Sequence, residues 1–322
     1  MTKAAVIHEP GPPENFSWED VEVGDPGPGE ARVRHAAVGV NFVDTHFRSG
    51  DYPVPALPVI LGREGAGVVE AVGEGVSEVA VGQRVGYAPE MGAYAEARVM
   101  PVARLVALPD AISFETAAAI MLKGLTAWYL VRRIRALKPD DTVLYHAAAG
   151  GVGIIACQWA KHLGAKVIGT VGSPEKAEIA RAHGCDHVIE YEREDFVTEV
   201  ERIAGSEGVD AVYDSVGQKT FAKSLGLLAP LGVIALYGEA SGPVPRDAYA
   251  DLPRNCTLAR PSLLGQTAAR DELLAAAREL FEVIESGAVK VVIGATYPLS
   301  EVAAAHRAIA GRHNTGSIVL IP

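Results

Sequence analysis

The chain has 322 residues, 49% hydrophobic and 21% charged, an ordinary globular composition whose length suggests two domains. Its net charge of −11 repels a polyanion on average and no basic run interrupts it, which excludes a nucleic-acid partner. No apolar stretch approaches the ~20 residues of a membrane span. The N-terminus, MTKAAVIHEPGPPENF, lacks the apolar core of a signal peptide. The three cysteines, Cys157, Cys185 and Cys256, form no CxxC pair. Together these features predict a cytoplasmic protein with reduced thiols and no membrane association.

In chain order, the first third is rich in Gly, Pro and Val. Segments 31–40, 67–72 and 83–88 are short and β-branched, and turn residues such as Pro26-Gly27-Pro28-Gly29 punctuate them, which predicts strands in a compact β domain. A helix opens at Ser113, an N-cap ahead of an Ala-rich run. The middle then alternates. Strands are predicted at 142–146, 166–171, 188–191, 209–215 and 233–237, and helices at 152–163, 174–182, 196–204 and 220–228. Such alternation predicts βαβ units and a parallel sheet covered on both faces. Beyond Gly238 come a loop at 242–253, a short strand at 257–259, one long amphipathic helix at 267–286 stopped by Gly287, a strand at 289–293, a helix at 301–310 opened by Ser300, and a last strand at 317–321.

Ala147-Ala148-Ala149-Gly150-Gly151-Val152-Gly153 follows a predicted strand directly and opens a predicted helix directly. Small residues there let the backbone approach a pyrophosphate, and the helix N-terminus offers N–H groups and a positive dipole end. The competing reading is a tight βα turn that binds nothing. An NAD site places an acid near the end of the second strand, about 20 residues past the glycines. Here that strand runs Ile168-Gly169-Thr170-Val171-Gly172-Ser173 with no acid, and Lys176 follows one turn on, which suits the 2′-phosphate of NADPH. Glu175 reads as a solvated first-turn carboxylate, and Lys176 could equally be a solvated surface group.

Four segments carry a resemblance: Gly39-Val40-Asn41-Phe42-Val43-Asp44, Leu61-Gly62-Arg63-Glu64-Gly65-Ala66-Gly67, Leu122-Lys123-Gly124-Leu125-Thr126-Ala127, and the glycine turn. With them the whole chain resembles the medium-chain dehydrogenase/reductase superfamily, and within it the zinc-independent NADPH:quinone oxidoreductases of the zeta-crystallin branch. The resemblance implies an α/β fold in which a GroES-like, β-rich catalytic domain (1–124 and 264–322) carries an inserted Rossmann domain (125–263), a doubly wound parallel sheet, with the active site where they meet. It also implies a homodimer joined near 257–263.

The resemblance assigns residues as well. Asn41 and Asp44 would lie at the nicotinamide ribose and amide, and Tyr129 beside the cofactor. Gly151 and Val152 would hold the pyrophosphate, and Gly172, Ser173 and Lys176 the 2′-phosphate, with Tyr191 at the adenosine end. Ser215 would face the adenine ribose, while Gly238, Ser241, Arg260, Pro261 and Ser262 would line the nicotinamide side, reached by Arg312 from the C-terminal segment. The chain departs from the family after Tyr237, where Glu239 and Ala240 stand in place of an uncharged polar residue. Alcohol dehydrogenases of the superfamily put zinc ligands where this chain has Asn41 and Arg63, neither a normal ligand, and Pro89 to Val99 holds no cysteine. His46 reads as a packed or solvated imidazole rather than a ligand. A metal is therefore not expected.

A quinone stabilises the negative charge that hydride delivers, so the Lewis acid that a ketone needs is dispensable. The expected activity is hydride transfer from NADPH to a quinone, with Asn41 positioning and the proton coming from water or a hydroxyl, for which Tyr52 is the candidate; Tyr52 reads equally as an aromatic packing the wall. The rivals are a reductase of conjugated alkenals or enones, and an NADPH-binding protein without turnover.

Overall fold

The computed structural model describes residues 1–311 and 315–322. The chain divides into two compact units: Met1–Leu122, Thr267–Phe281 and Val291–Pro322 form one, and Lys123–Gln266 with Glu282–Lys290 the other.

The first unit is built on strands β1 (Thr2–Ile7), β2 (Phe16–Val21), β3 (Glu30–Val40), β4 (Val59–Ile60), β5 (Gly65–Val72), β6 (Arg84–Tyr87), β7 (Ala97–Pro101), β8 (Val106–Ala107) and, from the C-terminal segment, β15 (Ile293–Pro298) and β16 (Ser317–Ile321). Three of them form a small sheet in the order β2-β1-β4; the rest form a seven-stranded sheet, β15-β16-β3-β5-β6-β8, with β7 paired to β3. Along β3, buried Ala31, Val33 and His35 alternate with outward Arg32 and Arg34, and burial then becomes continuous from Ala37 to Val40. That change marks a strand half-solvated at its start and covered on both faces at its end. Val38, Val40, Leu61, Tyr94, Ile318 and Leu320 share one core, each of the aliphatic ones contributing about 1.5–3 kcal/mol by burial. Helix α1 (Phe42–Ser49) leaves β3 directly and stops at Gly50, whose φ of 89° is left-handed.

The second unit opens with helix α2 (Phe114–Trp128), whose early turns belong to the first unit; the Ser113 hydroxyl accepts the Thr116 N–H at 3.1 Å and caps it. A π-helical turn, Tyr129–Ile134, extends it. Then β9 (Thr142–His146), α3 (Gly151–His162), β10 (Lys166–Val171), α4 (Pro174–Ala182), β11 (His187–Glu190), α5 (Phe196–Ala204), β12 (Val209–Asp214), α6 (Phe221–Leu225), β13 (Leu228–Leu236) and β14 (Thr257–Ala259) follow. Their order in the sheet is β11-β10-β9-β12-β13-β14, all parallel. Counted from β9, this is 3-2-1-4-5-6, the doubly wound dinucleotide-binding arrangement.

Three expected elements differ. The helix at 220–228 ends at Leu225, because Gly226 caps it and Leu228 already pairs with Val209 at the start of β13. The helix at 267–286 forms as α8 (Arg270–Glu285) and starts three residues late, where the Thr267 carbonyl accepts from the buried Arg104 guanidinium at 2.7 Å; a short helix, α7 (Leu263–Gln266), precedes it. The strand at 289–293 does not form. The Val289 N–H closes on Val283 O at 2.9 Å and the Lys290 N–H on Gln158 Oε1 at 3.0 Å, so this backbone is already satisfied, and the strand begins at Ile293 instead. The last helix, α9, is Val302–Ala310.

Candidate active site

In the second unit, the expected dinucleotide residues follow the carboxyl ends of the parallel strands, the position at which such sheets bind ligands. Gly151 and Val152 open α3 after β9. The turn before them needs Ala147 in a left-handed conformation (φ 57°), uncommon outside glycine and asparagine. Gly150, the N-cap, has no side chain to satisfy the first-turn N–H groups, which leaves an anion-binding helix end. Gly153 is required for a different reason: a Cβ there would lie 2.5 Å from Ala147 O and 2.6 Å from Ala148 O, so only glycine lets α3 approach β9 this closely.

Gly172 and Ser173 follow β10. Ser173 caps α4 by accepting the Lys176 N–H at 3.4 Å, and its hydroxyl also hydrogen-bonds the Glu175 carboxyl, which holds that exposed group below its usual range. A Cβ on Gly172 would fall 2.6 Å from the Tyr191 hydroxyl, so Tyr191, after β11, lies directly over this turn. The structure therefore brings Gly172, Ser173, Lys176 and Tyr191 together. Ser215 follows β12 on a turn tied by buried Asp214, which accepts from Val216 N (2.7 Å), Gly217 N (3.0 Å) and the Thr220 hydroxyl (2.8 Å). The loop after β13 is stitched to it: Ala240 N–H donates to Ser215 O at 3.0 Å, and the Ser241 hydroxyl donates to Val216 O at 2.7 Å. Gly238 packs on Ser215, where a Cβ would meet its carbonyl at 3.0 Å. Glu239, the residue that departs from the family, accepts Val244 N–H at 3.1 Å and pairs with Arg260 at 3.4 Å, so its charge is locally compensated. Arg260, Pro261 and Ser262 follow β14. Tyr129 is the exception: it sits in the π-helical turn after α2, and burial pushes its phenol above the ordinary value. Arg312 lies outside the described residues.

The small residues, the side-chain-free cap of α3 and the hydroxyl and ammonium at the start of α4 fit the pyrophosphate and the 2′-phosphate of NADPH.

In the first unit, Asn41 is the N-cap of α1, buried to 3% exposure. Its Nδ2 donates to Glu64 Oε2 at 2.9 Å, and its backbone N–H donates to Asp44 Oδ2 at 2.9 Å, one arm of a capping box. Glu64 Oε1 accepts the Leu122 N–H at 2.6 Å. Asp44 also accepts the Tyr94 hydroxyl at 2.9 Å, and Tyr94 meets His306 Nε2 at 3.0 Å. Tyr52 is half-buried and stacks on His46 (ring centroids 4.9 Å, planes 28° apart); Asp51 holds the His46 Nδ1 at 3.1 Å. Glu64, Tyr94 and His306 were not singled out as site residues in the sequence. Glu64 was inside a quoted motif, but the other two lie far from Asn41 in the chain and only the fold joins them to it. The Arg63 Nε donates to Pro89 O at 3.1 Å, and its guanidinium lies 5.2 Å from the Phe47 ring centre. Among the described residues no group of three or more His, Cys, Asp or Glu is arranged to hold a metal.

Residues 27–110 match the alcohol dehydrogenase GroES-like domain, and residues 151–282 the zinc-binding dehydrogenase family. The chain is 48% identical to the quinone oxidoreductase of Pseudomonas aeruginosa over 100% of both chains. It belongs to the quinone oxidoreductase family of the medium-chain dehydrogenase/reductases. Within that family it is also similar to the crystal structure of Escherichia coli quinone oxidoreductase complexed with NADPH, with a TM-score of 0.96 and 44% identity over 99% of this chain and 100% of that one. A 2-haloacrylate reductase from a Burkholderia species is 46% identical over 100% of this chain and 99% of that protein.

Proposed function

We propose that the protein is an NADPH-dependent quinone reductase that works without a metal. One observation carries the reading. Where zinc dehydrogenases of the superfamily place a cysteine, this chain has Asn41, a neutral amide committed to a buried carboxylate, and its parallel unit carries the expected glycine turn at the start of α3.

When bound, the reduced nicotinamide supplies hydride. The α3 N-terminus would hold the pyrophosphate with Gly151 and Val152, and Gly172, Ser173 and Lys176 would hold the 2′-phosphate. Asn41 and Asp44 orient the nicotinamide ribose, and the capping box with Glu64 and Tyr94 keeps both residues from swinging. The remaining assignments follow the strand ends: Tyr191 and Ser215 on the adenosine side, and Gly238, Ser241 and Arg260 to Ser262 on the nicotinamide side. Tyr52, half-buried and stacked on His46, is the proposed source of the proton that completes the hydroquinone. Binding energy goes into orientation, because the quinone itself carries the developing charge.

A second reading, reduction of a conjugated alkene, is favoured by the 46% identity to a 2-haloacrylate reductase. Both reactions need the same hydride donor and neither needs a metal. We also assign a homodimer joined through β14, which ends the six-stranded sheet and presents an edge, and a cytoplasmic location, supported by three cysteines none of which is in a disulfide. Among the described residues no helix is long and apolar enough to cross a membrane.

Metal analysis of protein purified without chelator tests the metal-free reading. Zinc far below one per chain, with quinone reduction unchanged after dialysis against EDTA, is expected. Stoichiometric zinc lost together with activity would refute it.

A further inference from the structure

A chain of buried groups in the first unit runs from Asn41 to the C-terminal helix. The Asn41 N–H and the Tyr94 hydroxyl both donate to Asp44 Oδ2, each at 2.9 Å, and Tyr94 Oη lies 3.0 Å from His306 Nε2 on α9. Asp44, Tyr94 and His306 have no exposed surface. Phe16 (centroids 4.9 Å, 71°) and Tyr94 (5.5 Å, 83°) present their rings edge-on to the imidazole and fix its plane.

Proton bookkeeping along this chain decides the tautomer. Tyr94 has one hydroxyl proton, and Asp44 takes it. The Tyr94 oxygen must then accept from His306, so Nε2 carries the hydrogen. Burial, with the Arg48 charge adding to it, pushes the His306 pKa down to about 3, so the ring is neutral and Nδ1 is left as a lone pair. His306 Nδ1 has no protein partner, and neither do Nε and Nη1 of buried Arg48 on α1. The three orphaned atoms are one acceptor and two donors.

We infer that His306 is a positioning residue: as the neutral Nε2–H tautomer it commits the Tyr94 proton to Asp44 and so fixes Asp44 and the Asn41 cap. This rests on the proposed placement of Asn41 and Asp44 at the nicotinamide ribose. The residue controlling the cap lies 265 positions from Asn41 in the chain (306 − 41) and reaches it only through Tyr94 and Asp44.

Long-range proton–nitrogen NMR of the cofactor-free protein reads the tautomer directly. His306 should show a protonated Nε2 and stay neutral from about pH 5 to about pH 8. A protonated Nδ1, or titration near the ordinary 6.5, overturns the inference. NADPH dissociation constants supply the second readout. His306→Leu and Tyr94→Phe should each weaken binding about tenfold, and the double variant no more than either alone. His306→Gln, which keeps a donor near Nε2, should bind close to wild type. If Gln fails as Leu does, or the two losses add, His306 merely packs. Asp44→Asn separates the two levels. Unchanged affinity in that variant removes the placement of Asp44, and the positioning role with it. A weakened Asp44→Asn beside unaffected His306→Leu and Tyr94→Phe removes this inference alone.

Discussion

Glu64 has no exposed surface, and its two oxygens accept from Asn41 Nδ2, a buried donor, and from the Leu122 N–H. Truncation therefore strands two donors at once. Glu64→Ala should cost about 2–4 kcal/mol in urea unfolding, the desolvation of two unpaired groups plus lost packing; a variant as stable as wild type would show that water replaces the carboxylate freely. Lys176 is a specificity question. A charge-assisted contact to phosphate is worth roughly 1.5–3 kcal/mol, so Lys176→Ala should raise the NADPH dissociation constant about tenfold to a hundredfold and leave NADH nearly unchanged. Equal loss with both cofactors, measured by fluorescence titration, would mean that Lys176 does not read the phosphate. The identity of these residues was visible in the chain, but their environment was not: Lys176 stood in a recognisable turn, whereas Glu64 gave no sign of being a buried acceptor until β5 and α2 were brought together.

At the scale of elements, α3 meets β9 through Gly153, whose missing Cβ makes room for two backbone carbonyls. Gly153→Ala must push the helix out of its seat. We expect NADPH affinity to fall more than about tenfold and the melting temperature to drop by several degrees, as overpacking costs about 1–3 kcal/mol. Native melting with intact binding would show that the turn tolerates the shift. The parallel unit was largely legible in the sequence, since each strand there is a short apolar run between strong punctuation, and β10, α4, α5 and β14 fall where the pattern puts them. Reading failed where tertiary bonds overrode pattern. The apolar run at 289–293 looked like a strand, but its N–H groups serve α8 and Gln158. The helix at 267–286 starts only at Arg270, because the Thr267 carbonyl is taken by Arg104, a partner remote in sequence. The dinucleotide residues were legible because they follow strand ends in one local pattern. The Asn41–Asp44–Tyr94–His306 chain was not, because three separate segments assemble it.

Over the whole molecule, buried neutral histidines couple stability to pH. Burial pushes His35 down to about 4 and His306 down to about 3, from an ordinary 6.5, and lowers His146 as well. Below pH 6.5 the unfolded chain takes up protons that the folded chain refuses, so the unfolded state gains and stability falls as pH drops toward these values. Each such group contributes a slope of roughly 1.4 kcal/mol per pH unit in that window. The urea midpoint at pH 5 should therefore lie clearly below that at pH 7, and equal midpoints would mean that these rings are not buried as neutral bases. The central claim concerns chemistry, and it is tested most directly by following NADPH absorbance with 1,4-benzoquinone, a conjugated alkenal and, with NADP⁺ in the reverse direction, a simple primary alcohol, all under one set of conditions. A metal-free hydride site predicts the fastest turnover with the quinone, slower turnover with the alkenal and none with the alcohol. Alcohol oxidation at a comparable rate, or no turnover of any acceptor by protein that still binds NADPH, would contradict it.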